Sequence, residues 1–333
     1  MRPEKRLMIL LSKTDINEDI DEINRLTTEI NPDIFFSEIM VNRVGGLTYV
    51  NLKKIDKDHV FCSSYRRVCK YLCDSIKIKQ AIYIKELKKI VQIFDEHQVE
   101  YVLIKGIDMV KRIYSEIPYT RDFNDIDILI DQKLLDKVEE LLKSLGYIQG
   151  IYSSKINKIK IVSREEKIRM RMSSHQIVGF TKIIKEFEEV SIPVNIDINF
   201  SIFNGGVEED PICIESLMRN KQRKKLDIGS SYYCLSNYDT IIQLAYNIYR
   251  ENKMDEMKND HADNILIKYT DLYEVIIKYL SSEDSIILFS EYIKKAKIFI
   301  EVEEVLSTLK TLYNHDVIDV LLENIRSKCE QED

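Results

Sequence analysis

The chain has 333 residues, 44% of them hydrophobic and 32% charged, with a formal net charge of −7. That length and apolar content can bury at least one sizeable core and favour two domains over one, which excludes a disordered or fibrous chain. The acidic balance argues against a broad electrostatic grip on duplex DNA.

In chain order, residues 1–13 carry basic side chains and then only Leu7 to Leu11 as an apolar run. This run is too short for a secretory leader or a membrane span, so a cytoplasmic protein with no membrane partner is expected. Glycine and proline number only 9 and 5, and residues 16–98 repeat apolar positions every three or four residues, with breaks at Asn31 and Pro32 and at Gly45 and Gly46. Ile82, Leu87, Ile90, Val91 and Phe94 form one apolar helical face. The first region, 1–80, is therefore read as helical.

The period then changes. Residues 100–104 form a short β-prone run that stops at Lys105 and Gly106, followed by a helical pattern to about Tyr114. A second strand is expected over 126–130, ended by Asp131, then an amphipathic helix over 134–145 stopped by Gly146. Further strands are expected over 156–162, 175–181 and 194–200. Residues 81–205 thus read as a compact α/β unit. After Gly205 and Gly206 the helical period returns, near 238–251, 262–280, 283–297, 301–312 and 315–327, which makes 206–333 an α-helical region. The basic run Lys221, Arg223, Lys224 and Lys225 reads as a solvated helix end or loop. The fold class expected is α+β: a small mixed sheet with flanking helices, plus helical N- and C-terminal regions. Six scattered cysteines without CxxC or zinc-finger spacing read as reduced, mostly buried thiols, and Cys69 with Cys73, one helical turn apart, as core packing.

The chemistry concentrates in the middle region. Asp125 and Asp127 are two positions apart in a run otherwise fit for a buried strand, so both carboxylates share one face. Hard oxygen ligands of this kind suit Mg2+ or Mn2+, which fill the rest of their shell with water and substrate phosphate; a lone DxD is also an ordinary turn or helix cap. Upstream, Lys105 and Gly106 stand where a strand becomes a helix, a place where free backbone N–H groups and a positive charge can meet a phosphate. Downstream, Asp197 lies in a third β-like run between Ile196 and Ile198. Three carboxylates on two strands beside a glycine turn match the needs of two-metal phosphoryl transfer. Arg121 can orient a phosphate or pair with Asp122 or Asp125. His175 reads as a structural histidine, and Lys268 with Asp271, three apart on one helix, as a surface ion pair or a docking contact.

These residues carry a family resemblance. Val102 to Gly106 (VLIKG) and Arg121 to Ile130 (RDFNDIDILI) resemble the paired signature of the bacterial uncharacterised nucleotidyltransferase family, in the DNA polymerase beta-type superfamily. Val194 to Phe200 (VNIDINF) is similar to that family's later acidic strand, with Asp197 on the acidic position, and Ile267 to Tyr273 (IKYTDLY) to a later helix. The likeness spans roughly 80–300. It implies Asp125, Asp127 and Asp197 as catalytic metal ligands and Lys105, Gly106 and Arg121 as nucleotide contacts. The chain departs at Ile107, where the family often has a small residue, and at Asn199 and Phe200, where it has histidine and tryptophan.

The reaction expected is transfer of a nucleoside monophosphate from an NTP such as ATP to an acceptor hydroxyl or phosphate. The acceptor class stays open between a small molecule, a peptide or protein side chain, and an RNA end. By resemblance alone, the gene-set association of some relatives adds a ribosomal peptide. Two other readings compete. Nucleotide-sugar-dependent glycosyl transfer also uses a DxD but normally on a Rossmann-like parallel sheet, and it would release a nucleoside diphosphate instead of pyrophosphate. A non-catalytic helical interaction protein with a vestigial α/β unit would bind no nucleotide in a metal-dependent way.

Overall fold

In a computed structural model of the chain, the described residues are 1–187, 190–203, 210–254 and 265–329. They form helices together with one eight-stranded sheet: β1 (Tyr101–Ile104), β2 (Asp125–Ile130), β3 (Ile148–Ser153), β4 (Lys158–Ile161), β5 (Phe180–Phe187), β6 (Val190–Asn199), β7 (Gln222–Asp227) and β8 (Ser230–Cys234). Strand order is β4-β3-β5-β6-β2-β1-β8-β7. Only β2 with β6 and β1 with β8 run parallel; the remaining neighbours are antiparallel. The protein is therefore α+β with a mixed sheet. A Rossmann-like parallel sheet, the setting in which a glycosyltransferase DxD would normally be read, is not what these strands build.

Contacts divide the chain into two compact units. One holds residues 79–111 and 123–243, the other 1–78, 112–122 and 244–333. In the sheet-bearing unit, one face of the sheet is apolar because isoleucines alternate with polar residues along β2 and β6. Ile126, Ile128, Ile130, Ile196 and Ile198 pack with Leu103 and Phe180 against Leu87, Ile90 and Phe94 of the helix Ser63–Glu96 and Val138 and Leu142 of the helix Leu135–Ser144. The apolar helical face read from the sequence is this buried face. Each buried isoleucine contributes roughly 1.5–3 kcal/mol, so a one-residue slip of β2 or β6, which would turn these side chains over, is strongly opposed. The same alternation fixes Asp125, Asp127, Asn195, Asp197 and Asn199 on the opposite face.

Several boundaries differ from those read in the sequence. Of the basic run, Arg223, Lys224 and Lys225 are not a loop or helix end: they lie in the edge strand β7, hairpinned to β8, with Lys221 just before it. Its alternating exposed cations obscured a strand whose inward position is taken by Leu226. β3 and the helix Arg164–Ser173 were also missed, the latter because its mean composition is strongly polar; its N-terminus is fixed by a Ser163–Glu166 capping box. Residues 175–179 precede β5 instead of forming a strand, apart from one bridge between Gln176 and Asn199. The Gly205–Gly206 boundary, and the start of the helix expected at 262, lie outside the described residues.

The helical unit contains Pro3–Leu11, Ile20–Leu26, Pro32–Val41, Gly45–Lys54, Leu266–Tyr279, Glu283–Ala296, Phe299–Tyr313 and Asp316–Cys329. Cys69 is buried, and burial pushes its thiol up to about 12, which disfavours the thiolate a metal would need. Cys62 and Cys213, by contrast, are exposed. Among the described residues, no helix is long and apolar enough to cross a membrane.

Candidate active site

The acidic residues come together through strand register. β2 and β6 pair in parallel with Asp125 opposite Asn195 and Asp127 opposite Asp197. Adjacent strands lie about 4.8 Å apart, so Asp127 and Asp197 are side-by-side neighbours on the polar face. Tyr83 clamps the entry of the two strands: its hydroxyl donates to the carbonyl oxygens of Asn124, at 2.6 Å, and Pro193, at 3.1 Å. Thr181 Oγ donates to Asn195 Oδ1 at 3.0 Å, and Asn195 Nδ2 to the Asn124 carbonyl at 3.2 Å. The strands bearing the carboxylates are thus tied by side chains as well as by the ladder.

Asp127 is buried, while Asp125 and Asp197 are half-buried. Burial, then the negative charges of Asp127 and Asp125, push the Asp197 carboxyl up to about 7 from its ordinary 3.8, with Lys105 pulling in the other direction. Lys105 Nζ lies 3.1 Å from Asp127 Oδ1. Lys105 itself has φ +54, a left-handed conformation that costs a non-glycine residue roughly 1–2 kcal/mol. The strain falls where the chain turns from β1 into the helix Gly106–Arg112, and it directs the lysine over the carboxylates.

Gly106 has a different explanation from the one its position invites. A Cβ there would meet Phe123 Cβ at 2.8 Å, so the glycine is needed for packing, not shown to be needed for phosphate approach. Phe123 in turn stacks edge-on against Tyr83, with ring centroids 5.1 Å apart. Tyr83, Phe123 and Gly106 form a continuous support under Lys105 and the start of β2.

Arg121 belongs to the helical unit, where its buried guanidinium grips Asp271: Nε donates to Oδ1 at 3.1 Å and Nη2 to Oδ2 at 2.7 Å. The Tyr114 hydroxyl donates to the same carboxylate at 2.8 Å, and Arg121 Nη1 also donates to the Asp122 carbonyl. Burial works against the guanidinium charge, but Asp271 more than offsets it and holds it firmly cationic. The sequence offered Asp122 or Asp125 as a structural partner; the carboxylate Arg121 grips here is Asp271, 150 residues away. Lys268 pairs with Glu251, not with Asp271. The Lys268–Asp271 surface pair does not form, and Asp271 serves as a docking contact.

A family model described as uncharacterised nucleotidyltransferase matches residues 28–282. The chain belongs to this nucleotidyltransferase family. The match takes in the helices from Pro32–Val41 onward as well as the sheet, starting well before the 80–300 span suggested by motifs, and it includes both Arg121 and Asp271. No curated protein matches the chain. Family membership makes the protein a transferase of the nucleotidyl class, on a scaffold whose acidic face is the one described above.

Two residues of this nucleotidyltransferase's acidic face went unread as contributors. A Cβ on Gly179 would meet Asp197 Oδ1 at 2.7 Å, so the absence of a side chain there makes room for the carboxylate. Asn199, two residues beyond Asp197 on the same face, is 1% exposed; its Nδ2 donates to the Asp197 carbonyl at 3.3 Å, while its Oδ1 has no hydrogen-bond partner among the described residues. The Asn195, Asp197, Asn199 alternation was visible in the sequence as a polar stripe. The neighbourhood of Gly179 and Asp197 was not, since only the sheet creates it.

Proposed function

We propose that the protein transfers a nucleoside monophosphate from an NTP to an acceptor hydroxyl or phosphate, with Asp125, Asp127 and Asp197 holding Mg2+ or Mn2+. The observation that carries this reading is the register of β2 and β6, which sets Asp127 beside Asp197 on one face of a nucleotidyltransferase-family sheet. The donor chemistry fits a divalent cation. Asp127 and Asp197 are register partners on a polar face that also carries Asp125, and burial, followed by the charges of Asp127 and Asp125, raises the Asp197 carboxyl. Against a ready-made site stands one fact: among the described residues, no group of three metal-capable side chains is already gathered. Lys105 occupies part of Asp127 instead, so loading requires the lysine to give way.

When bound, the metal would supply charge neutralisation at the triphosphate and a lowered pKa at an attacking hydroxyl. The chain's own residues would do the rest. Asp197, in its deprotonated carboxylate form, is the candidate to take a proton from the acceptor hydroxyl. Lys105, released from Asp127, would move its ammonium to the phosphates as a point charge. Asn199 offers an unsatisfied carboxamide oxygen to a donor on nucleotide or acceptor.

The test is incubation with each NTP labelled at the α-phosphate, with Mg2+ or Mn2+ and cell extract, following pyrophosphate and the labelled product. Pyrophosphate release that depends on Asp127 and Asp197 supports the reading. A nucleoside diphosphate product, or no metal-dependent nucleotide binding by calorimetry, rejects it.

A further inference from the structure

β4 is an edge strand of the sheet; among the described residues it pairs with β3 alone. Its sequence, Lys158-Ile159-Lys160-Ile161, puts lysines on one face and isoleucines on the other. Residues 155–171 carry seven basic side chains against two acidic ones, a formal +5 in a chain whose net charge is −7. Apolar side chains are interleaved with the cations: Ile161 is 75% exposed, Ile151 65% and Met172 77%. A recess of about 180 Å3 between the helix Arg164–Ser173 and the helix Leu135–Ser144 continues the same sign of charge, with Lys143, Lys167 and Arg171 lining it against Glu139.

Edge lysines deter pairing with strands of like character. They favour a strand that brings carboxylates to the lysine face and apolar side chains to the isoleucine face, because directly opposed cross-strand residues share a face. Exposed aliphatic side chains offer no stacking platform for bases, whereas a free strand edge offers backbone donors and acceptors to an extended chain. We infer that the β4 edge docks an extended polypeptide segment in which acidic and apolar residues alternate, added beside β4 as a further strand. The recess then receives a carboxylate beyond the paired segment. This docking surface does not depend on the reading of the carboxylate cluster.

The test uses the full chain and a fluorescein-labelled decapeptide of alternating glutamate and valine, read by fluorescence anisotropy at low ionic strength. Saturable binding is expected, weakened about tenfold by the double change Lys158→Glu and Lys160→Glu, the order expected from placing like charges opposite one another. Ile161→Ser should weaken it separately, and both variants should keep the parent melting temperature, since the positions are exposed. Lys160→Gln, a milder change, should give an intermediate loss and covers the case in which the double reversal fails to fold. Equal binding of a block isomer with five glutamates followed by five valines would overturn the inference, as would an unchanged Ile161→Ser. Tighter binding of oligoadenylate or of phosphatidylserine vesicles than of the peptide would assign the surface to another class of partner and overturn it too.

Discussion

Asp127 and Asp197, 70 positions apart in the chain, are direct register partners on adjacent parallel strands. Each lies between isoleucines that bury on the far face, so the apolar core, and not any attraction between the aspartates, brings the two carboxylates together. The folded protein is holding a repulsion that its core outweighs.

Asp127→Asn and Asp197→Asn should therefore separate in stability while agreeing in activity. Both should lower metal-dependent pyrophosphate release on the order of 10²–10³-fold, the scale of losing one preorganised electrostatic group. Asp197→Asn relieves like-charge crowding and should raise the melting temperature of the metal-free protein. Asp127→Asn also breaks the partly buried pair with Lys105 and should lower it modestly. Full activity in either variant would remove that residue from the mechanism.

The strands carrying these aspartates were legible because each is a short apolar run with polar residues every second position. What sequence could not give was adjacency, since nothing local says that β6 lies beside β2 and not beside β1. Arg121 shows the same limit from the other side. Near the DxD it read as a phosphate contact or a local pair, but its partner Asp271 lies 150 positions on, in the helix Leu266–Tyr279 of the same compact unit, and is met only in the fold. The Lys-rich β7 and the polar helix Arg164–Ser173 escaped because their solvent-facing side chains outnumber those turned inward.

The raised Asp197 carboxyl makes a pH prediction. In the unfolded chain it releases its proton near 3.8, while in the folded protein it keeps it to about 7. Between those values the folded state binds the extra proton, so this group's contribution is most favourable at low pH and is lost as pH rises through 7. Melting temperatures in EDTA at pH 5 and pH 8 should show the wild type losing more stability than Asp197→Asn across that interval. An equal loss in the two proteins would show that the carboxyl titrates normally.

Gly179→Ala should act on Asp197 without unfolding the sheet. The atom in the way is a carboxylate oxygen at 2.7 Å, with the Ile196 carbonyl next at 3.3 Å, so the side chain can swing aside and leave the ladder intact. Turnover should fall roughly tenfold while the melting temperature changes little. Made in an Asp197→Asn background, the same substitution should cost no further activity, because coupled residues are not additive. An additive loss would mean that Gly179 acts elsewhere.

The Arg121–Asp271 pair is predicted to be structural. Asp271→Asn should destabilise the protein by about 3–5 kcal/mol, the range for breaking a buried ion pair by removing one partner, as read from urea unfolding. Arg121→Met with Asp271→Leu should recover part of that loss, since an apolar pair leaves no unpaired charge. If the double variant folds well yet no longer binds NTP, Arg121 contacts nucleotide after all.

Lys105 offers the sharpest separation between binding and structure, because its ammonium can neutralise Asp127 or a phosphate but not both. In the nucleotide-free protein it sits 3.1 Å from Asp127 Oδ1 and competes with any cation for that oxygen. Lys105→Met keeps the length of the side chain and removes the charge, so Mn2+ should bind the free protein more tightly, as followed by electron paramagnetic resonance. The KM for NTP should move the other way and rise, because the phosphates lose a cation. The left-handed backbone at this position is equally strained with either side chain, which keeps conformational cost out of the comparison. Tighter Mn2+ binding with an unchanged KM would confine Lys105 to an ion pair within the fold. Weaker Mn2+ binding together with a lower melting temperature would show that the lysine organises the acidic face instead of competing for it.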